Sequence, residues 1–167
     1  MTENPDDRDL ITELLTLLRD GEEEALRIFL RLARTEDVAE WLHTLGTEDR
    51  QRILVALDHE AAGAVLTDLT ASIRGELVDE LGPERLARIA ETLPADEAAD
   101  LSGELQPHET EQVLSHIADA DEAVLRGLLA YPEDTAGGIM TPEVVALRPE
   151  ETVDDAIRFL RSAGEEI

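Results

Sequence analysis

Apolar residues return along this chain every twelve positions. Leu45, Leu57, Leu69, Leu81, Leu93, Leu105, Ile117 and Leu129 mark the beat. Four places before each stands Trp41, Ile53, Val65, Leu77, Ile89, Leu101, Val113 or Leu125. Three places before each stands Leu42, Leu54, Leu66, Val78, Ala90, Ser102, Leu114 or Arg126. Spacings of three and four put side chains on one helical face, so each unit reads as a short amphipathic helix. Turn formers fall at the matching phase: Gly46-Thr47, Asp58, Thr70, Gly82-Pro83, Pro94 and Gln106-Pro107. Proline suits a helix's first turn, and Gly, Asp and Thr suit caps.

A helix of about nine residues is marginal alone in water, so burial must come from stacked neighbours. Seven places before the beat, Val38, Arg50, Ala62, Arg74 and Leu86 alternate apolar with arginine. That hints at a 24-residue repeat of two helices; Ala98, Thr110 and Glu122 break it. Residues 8–19 and 22–33 read as two longer helices before the beat, split at Asp20-Gly21. The expectation is an all-α fold: a superhelical stack of about ten short helices over residues 6–130.

After Tyr131-Pro132 the pattern changes. Thr135-Ala136-Gly137-Gly138 reads as a flexible break and Val144-Val145-Ala146-Leu147 as a short strand. A capped amphipathic helix is predicted from Thr152 to Leu160. One strand and one helix bury no core of their own, so this stretch reads as the cut beginning of a further domain. The expected division is therefore residues 1–130 and 131–167.

Composition supports helices. Hydrophobic residues make up 43% of the 167 positions but aromatics only 2%, leaving Leu, Ile, Val and Ala to build the core. Formal net charge is −26, and every basic residue other than four histidines is arginine. That balance argues against nucleic acid and against docking on an anionic membrane. An acidic surface concentrates cations instead, although solubility alone also accounts for it. There is no cysteine, hence no disulfide or thiolate chemistry. The acidic start Met1–Asp7 is no signal peptide, and no apolar run approaches the ~18 residues of a membrane span, so the chain is expected to be soluble.

Candidate chemistry is sparse. Asp96, Asp100 and Glu104 stand at i, i+4 and i+8, along one helix side, where oxygen ligands would suit a hard divalent cation. Against this, 40 acids in 167 residues give about nine such i,i+4 pairs by chance. His43, His59, His108 and His116 lack metal-ligand spacing. Trp41 falls on the apolar stripe and reads as core, and Ser102-Gly103 has no nucleophile-elbow context. No catalytic constellation converges, so an enzyme is not expected.

The stretch Tyr131-Pro132-Glu133-Asp134-Thr135-Ala136-Gly137-Gly138-Ile139-Met140-Thr141-Pro142-Glu143 resembles the junction of MgtE magnesium transporters, where a helical superhelix meets a pair of CBS domains. The acidic beat before it is similar to that family's N domain, and the segment after it to the start of a CBS motif. The resemblance implies a regulatory sensor of Mg2+ on the cytoplasmic side of the cell membrane. It would work within a homodimeric transporter whose transmembrane and CBS domains are its partners. Magnesium bridging the N and CBS domains would close the pore. It further implies metal ligands at Asp96 and Asp100, within Leu93-Pro94-Ala95-Asp96 and one turn on, and at the Gly138 carbonyl. A family acidic position on an earlier helix falls on Ala64, which offers no ligand. The alternative from another class is a protein-interaction scaffold, since flagellar motor-switch proteins use similar short-helix superhelices.

Overall fold

The computed structural model describes residues 5–132, 135–142, 146 and 148–163. The stack forms as the beat demands. Helices α1 (Pro5–Asp20) and α2 (Glu23–Leu32) lead into α3 (Thr35–Thr44), α4 (Thr47–Ala56), α5 (His59–Asp68) and α6 (Ala71–Leu81). These are followed by α7 (Pro83–Ala90), α8 (Ala95–Gly103), α9 (Pro107–Leu114) and α10 (Asp119–Leu129). From Thr35 to Asp119 every helix begins twelve residues after the last. Asp58 caps α5 by accepting from the Ala61 N–H at 2.9 Å. Gln106 and Glu109 close a reciprocal capping box on α9, and Pro83 and Pro107 open their helices. Gly82 alone joins α6 to α7 at φ +70°, a left-handed conformation that strains any residue with a Cβ.

All eight residues four places before the beat are buried, from Trp41 to Leu125. Trp41 is core, stacked on Phe29 with ring centroids 5.8 Å apart. Of the residues three places before, only Arg126 is exposed, on the last helix of the stack. The core is aliphatic apart from Trp41 and continuous from Leu14 to Leu128.

The helices lie in two rows. One runs α3, α5, α7, α9 and the other α2, α4, α6. The arginine alternation marks the second row. Arg50 Nε donates to the Leu42 carbonyl at 2.7 Å and Arg74 Nη1 to the Leu66 carbonyl at 3.4 Å, each eight residues back. These are carbonyls of the last helical turn, where donors are scarce (Leu66 otherwise takes only the Leu69 amide, at 3.3 Å), and a cation there also suits the helix dipole. Ion pairs tie the same row together: Arg52 to Glu23 at 2.7 Å and Arg50 to Glu76 at 3.2 Å.

The 24-residue rhythm then slips. Ala98 on α8 is buried where Arg50 and Arg74 reach outward. Thr110 on α9 makes the eight-back bond, from its hydroxyl to the Ser102 carbonyl at 3.1 Å. Packing changes at the same place, because α8 packs chiefly on α10 and also on α7. The broken alternation in the sequence is therefore a change of row phase at α8.

Beyond the stack, Gly137 is not a loose break. A Cβ there would stand 2.4 Å from the Tyr131 ring, so only glycine allows this approach. The Gly138 and Ile139 amides close a turn onto the Thr135 carbonyl at 3.0 and 3.1 Å. The predicted strand falls on Val144, Val145 and Leu147, which lie outside the described residues, and no strand occurs among those described. Helix α11 (Val153–Ala163) forms as predicted, with Thr152 and Asp155 exchanging cap bonds at 3.0 and 3.3 Å. Its Val153, Ile157, Phe159 and Leu160 are all exposed.

Candidate cation site

Asp96 and Asp100 stand one turn apart on α8, and Glu104 continues the line at its C-cap with helical dihedrals. The three differ in what explains them. Asp96 sits in the first turn of α8, at the same phase as Glu36, Glu48, Glu60 and Glu84 on earlier helices. A carboxylate there is favoured by the positive end of the helix dipole. Helix formation alone accounts for Asp96. The positions equivalent to Asp100 carry Glu40, Arg52, Ala64, Glu76, Arg88, Gln112 and Val124, so no rule of the repeat demands its carboxylate.

Glu104 is engaged. Both its oxygens take bonds from Arg74, Oε2 from Nε at 2.9 Å and Oε1 from Nη2. The pair is well shielded, with side chains 19% and 26% exposed. The Glu104 hydrogen bond raises the Arg74 pKa, against the effect of burial, and the charges of Glu104 and Asp100 add to it. Arg74 thus reaches from α6 to the end of α8, where the row changes phase, and neutralises one of the three carboxylates on the acidic face. Its place in the alternation was legible, but a partner 30 residues away was not.

Asp100 and Gly138 come together on one groove of about 450 Å³, with Gly103, Leu128, Tyr131 and Pro132. The junction also touches the stack further along, where Pro142 lines a groove of about 320 Å³ with Leu93, Asp121 and Val124. Oxygen donors of this kind fit a hard cation such as Mg2+. The described residues gather no group of three or more acidic or histidine side chains that could hold a metal by themselves.

A two-row superhelix with one helix per twelve residues defines the structural class. The chain belongs to the MgtE intracellular N domain family, whose sequence profile matches residues 33–134. It is 33% identical over 158 residues to the magnesium transporter MgtE of Thermus thermophilus, covering 93% of this chain and 35% of that one. With MgtE of Bacillus subtilis it shares 26% over 165 residues, covering 99% and 37%. The chain thus spans little more than a third of these relatives. The fold matches the crystal structure of the cytosolic domain of the Mg2+ channel MgtE in complex with ATP, with TM-score 0.79 and 33% identity over 90% of this chain and 62% of that one. The soluble part of a magnesium transporter shares the fold, with TM-score 0.73 at 22% identity over 93% of this chain and 62% of that one. These relatives are transporters rather than enzymes, and the family does not favour the motor-switch scaffold. Among the described residues no helix is long and apolar enough to cross a membrane.

Proposed function

We propose that this chain is the magnesium-sensing regulatory part of a magnesium transporter, acting on the cytoplasmic side of the membrane. Residues 1–130 form the sensing superhelix, and residues 131–167 are the junction and the beginning of a CBS domain. Asp100 and the Gly138 carbonyl, with Asp96 beside them, supply one side of the ion's shell. The CBS surface of the same homodimeric transporter supplies the other. Glu104 joins only when Arg74 releases it.

The observation that carries this reading is the meeting of Asp100 with Gly138 on one groove, in a chain of the MgtE N domain family. At low magnesium the two acidic surfaces repel; at high magnesium the ion draws them together and favours the closed pore. Its effect on gating equals its differential affinity for the two arrangements. Half a shell binds weakly, so the isolated chain should bind Mg2+ in roughly the millimolar range.

Magnesium titration of amide chemical shifts tests it. Shifts concentrated at Asp100 and Gly138, and lost in Asp100→Asn, are the expected result. Small shifts spread evenly over the acidic surface, unchanged in that variant, would leave only a diffuse ion atmosphere and sink the proposal.

A further inference from the structure

Acids outnumber arginines 40 to 14, so carboxylates are in ample supply for every arginine. Arg19, Arg34, Arg50, Arg52, Arg74 and Arg126 each pair with one, all within 3.4 Å. Within the helical stack the exceptions gather in one place, around the turn from α4 to α5. Among the described residues of α1 to α10, Arg31 and Arg85 have no carboxylate partner, and Arg27 reaches Glu24 only at 4.0 Å; outside the stack Arg148 and Arg161 are likewise unpaired. Arg88 pairs with its own neighbour Glu91 at 3.3 Å and stays 57% exposed.

Arg85 lines one groove and bonds to the backbone of a second. Its Nη2 donates to the Leu54, Val55 and Leu57 carbonyls at 2.8, 3.2 and 3.1 Å, capping α4. On one side lies a groove of about 180 Å³ walled by Arg27, Arg31, Val55 and Ala61. On the other, Arg85 and Arg88 line a groove of about 660 Å³ with His59, His116 and Pro83. Apolar side chains are bare beside them: Ile28 is 53%, Leu32 83% and Val55 54% exposed. Asp58 and Glu84 are the acids in the two walls, and Asp58 is occupied capping α5. Arg27 and Arg31 also precede the residues matched by the family profile.

We propose that these two grooves form one docking surface for an acidic amphipathic helix of a partner protein. Arg27 and Arg31 are one turn apart on α2 and match carboxylates spaced i,i+4 on the incoming helix. Ile28, Leu32 and Val55 receive its apolar stripe. The net charge of −26 does not forbid this, because at physiological salt charges beyond ~8 Å are largely screened. Contact is governed by the local arginines.

The test uses the 167-residue chain and a fluorescein-labelled helical peptide of about 16 residues, with Leu on one face flanked by Glu. Anisotropy should report binding that weakens with salt. It should fall roughly five- to tenfold in the Arg31→Glu, Arg88→Glu double variant and survive in Arg31→Lys. Circular dichroism melts confirm that each variant is folded. Equal affinity for the peptide with Gln in place of Glu, or no response to charge reversal, would overturn the proposal. So would binding of phosphatidylglycerol vesicles in place of the peptide, or self-association of the chain that the double variant abolishes. These two results would assign the surface to a membrane or to a second copy.

Discussion

Replacing Arg74 by glutamine should change two measured quantities in opposite directions. The substitution breaks both bonds to Glu104 and the weaker one to the Leu66 carbonyl. An exposed ion pair contributes ~0–1 kcal/mol and a charge-assisted bond in a shielded site ~1.5–3. With side chains 19% and 26% exposed, the Arg74–Glu104 pair falls between them, so the loss should be about 1–2 kcal/mol. At ~2–4 °C per kcal/mol for a chain of this size, Tm without magnesium should drop by roughly 2–8 °C. The freed Glu104 carboxylate then adds a negative charge about 6 Å from an ion at Asp100. For a divalent ion in water that is worth ~1.4 kcal/mol, cut to about half by screening at 0.15 M salt. Magnesium affinity should therefore rise about threefold. The assay is a thermal melt with and without magnesium, beside a chemical-shift titration. Glu104→Gln is the control: it removes the same pair and lowers Tm, but adds no charge and should leave affinity unchanged or weaker. If Arg74→Gln lowers Tm and magnesium affinity together, Arg74 does not compete for the acidic face.

Gly63 is buried in α5, and a Cβ there would stand 2.9 Å from Leu93 Cδ2 and 3.1 Å from its Cγ. Gly63→Ala sets a helix-propensity gain of ~1 kcal/mol against overpacking of ~1–3, so denaturant unfolding should show a loss of up to about 2 kcal/mol, and Gly63→Leu more. Asp155 has its pKa held down by the Thr152 hydroxyl first, then by the Thr152 amide. A depressed carboxyl stabilises α11 fully above the ordinary aspartate value of ~3.9 and stops doing so as pH falls through its lower folded value. The Thr152 amide shift should follow that titration in acid, and Asp155→Asn should flatten it.

The stack was legible because one face of each helix must be apolar, and a fixed twelve-residue pitch repeats that demand eight times. Each helix start from Thr35 to Asp119 follows from it. The two rows were only hinted at, since Arg50 and Arg74 mark the second row but Thr110 does the same work with a hydroxyl. A pattern of residue types cannot equate the two. The candidate site was half visible. Spacing put Asp96, Asp100 and Glu104 on one face, yet spacing could not separate a dipole-serving Asp96 from an unexplained Asp100. Nor could it see Arg74 arriving from α6. Gly137-Gly138 read as looseness because glycine's common use is freedom; at Gly137 the Tyr131 ring makes it a matter of room.

The phase change at α8 sets a rule for altering the length of this domain. Between α3 and α7, chain can be added or removed in steps of 24 residues without exchanging the rows. A single twelve-residue step would bring Arg50 or Arg74 to the buried places of Val38 and Ala62, and hand their carbonyl partners an apolar side chain. Past α7 the chain has already taken such a half-step, and it was tolerable because Ala98 is small and Thr110 can still donate. Splicing within this fold is therefore counted in helix pairs before α8, and a graft that crosses it must carry both residues along.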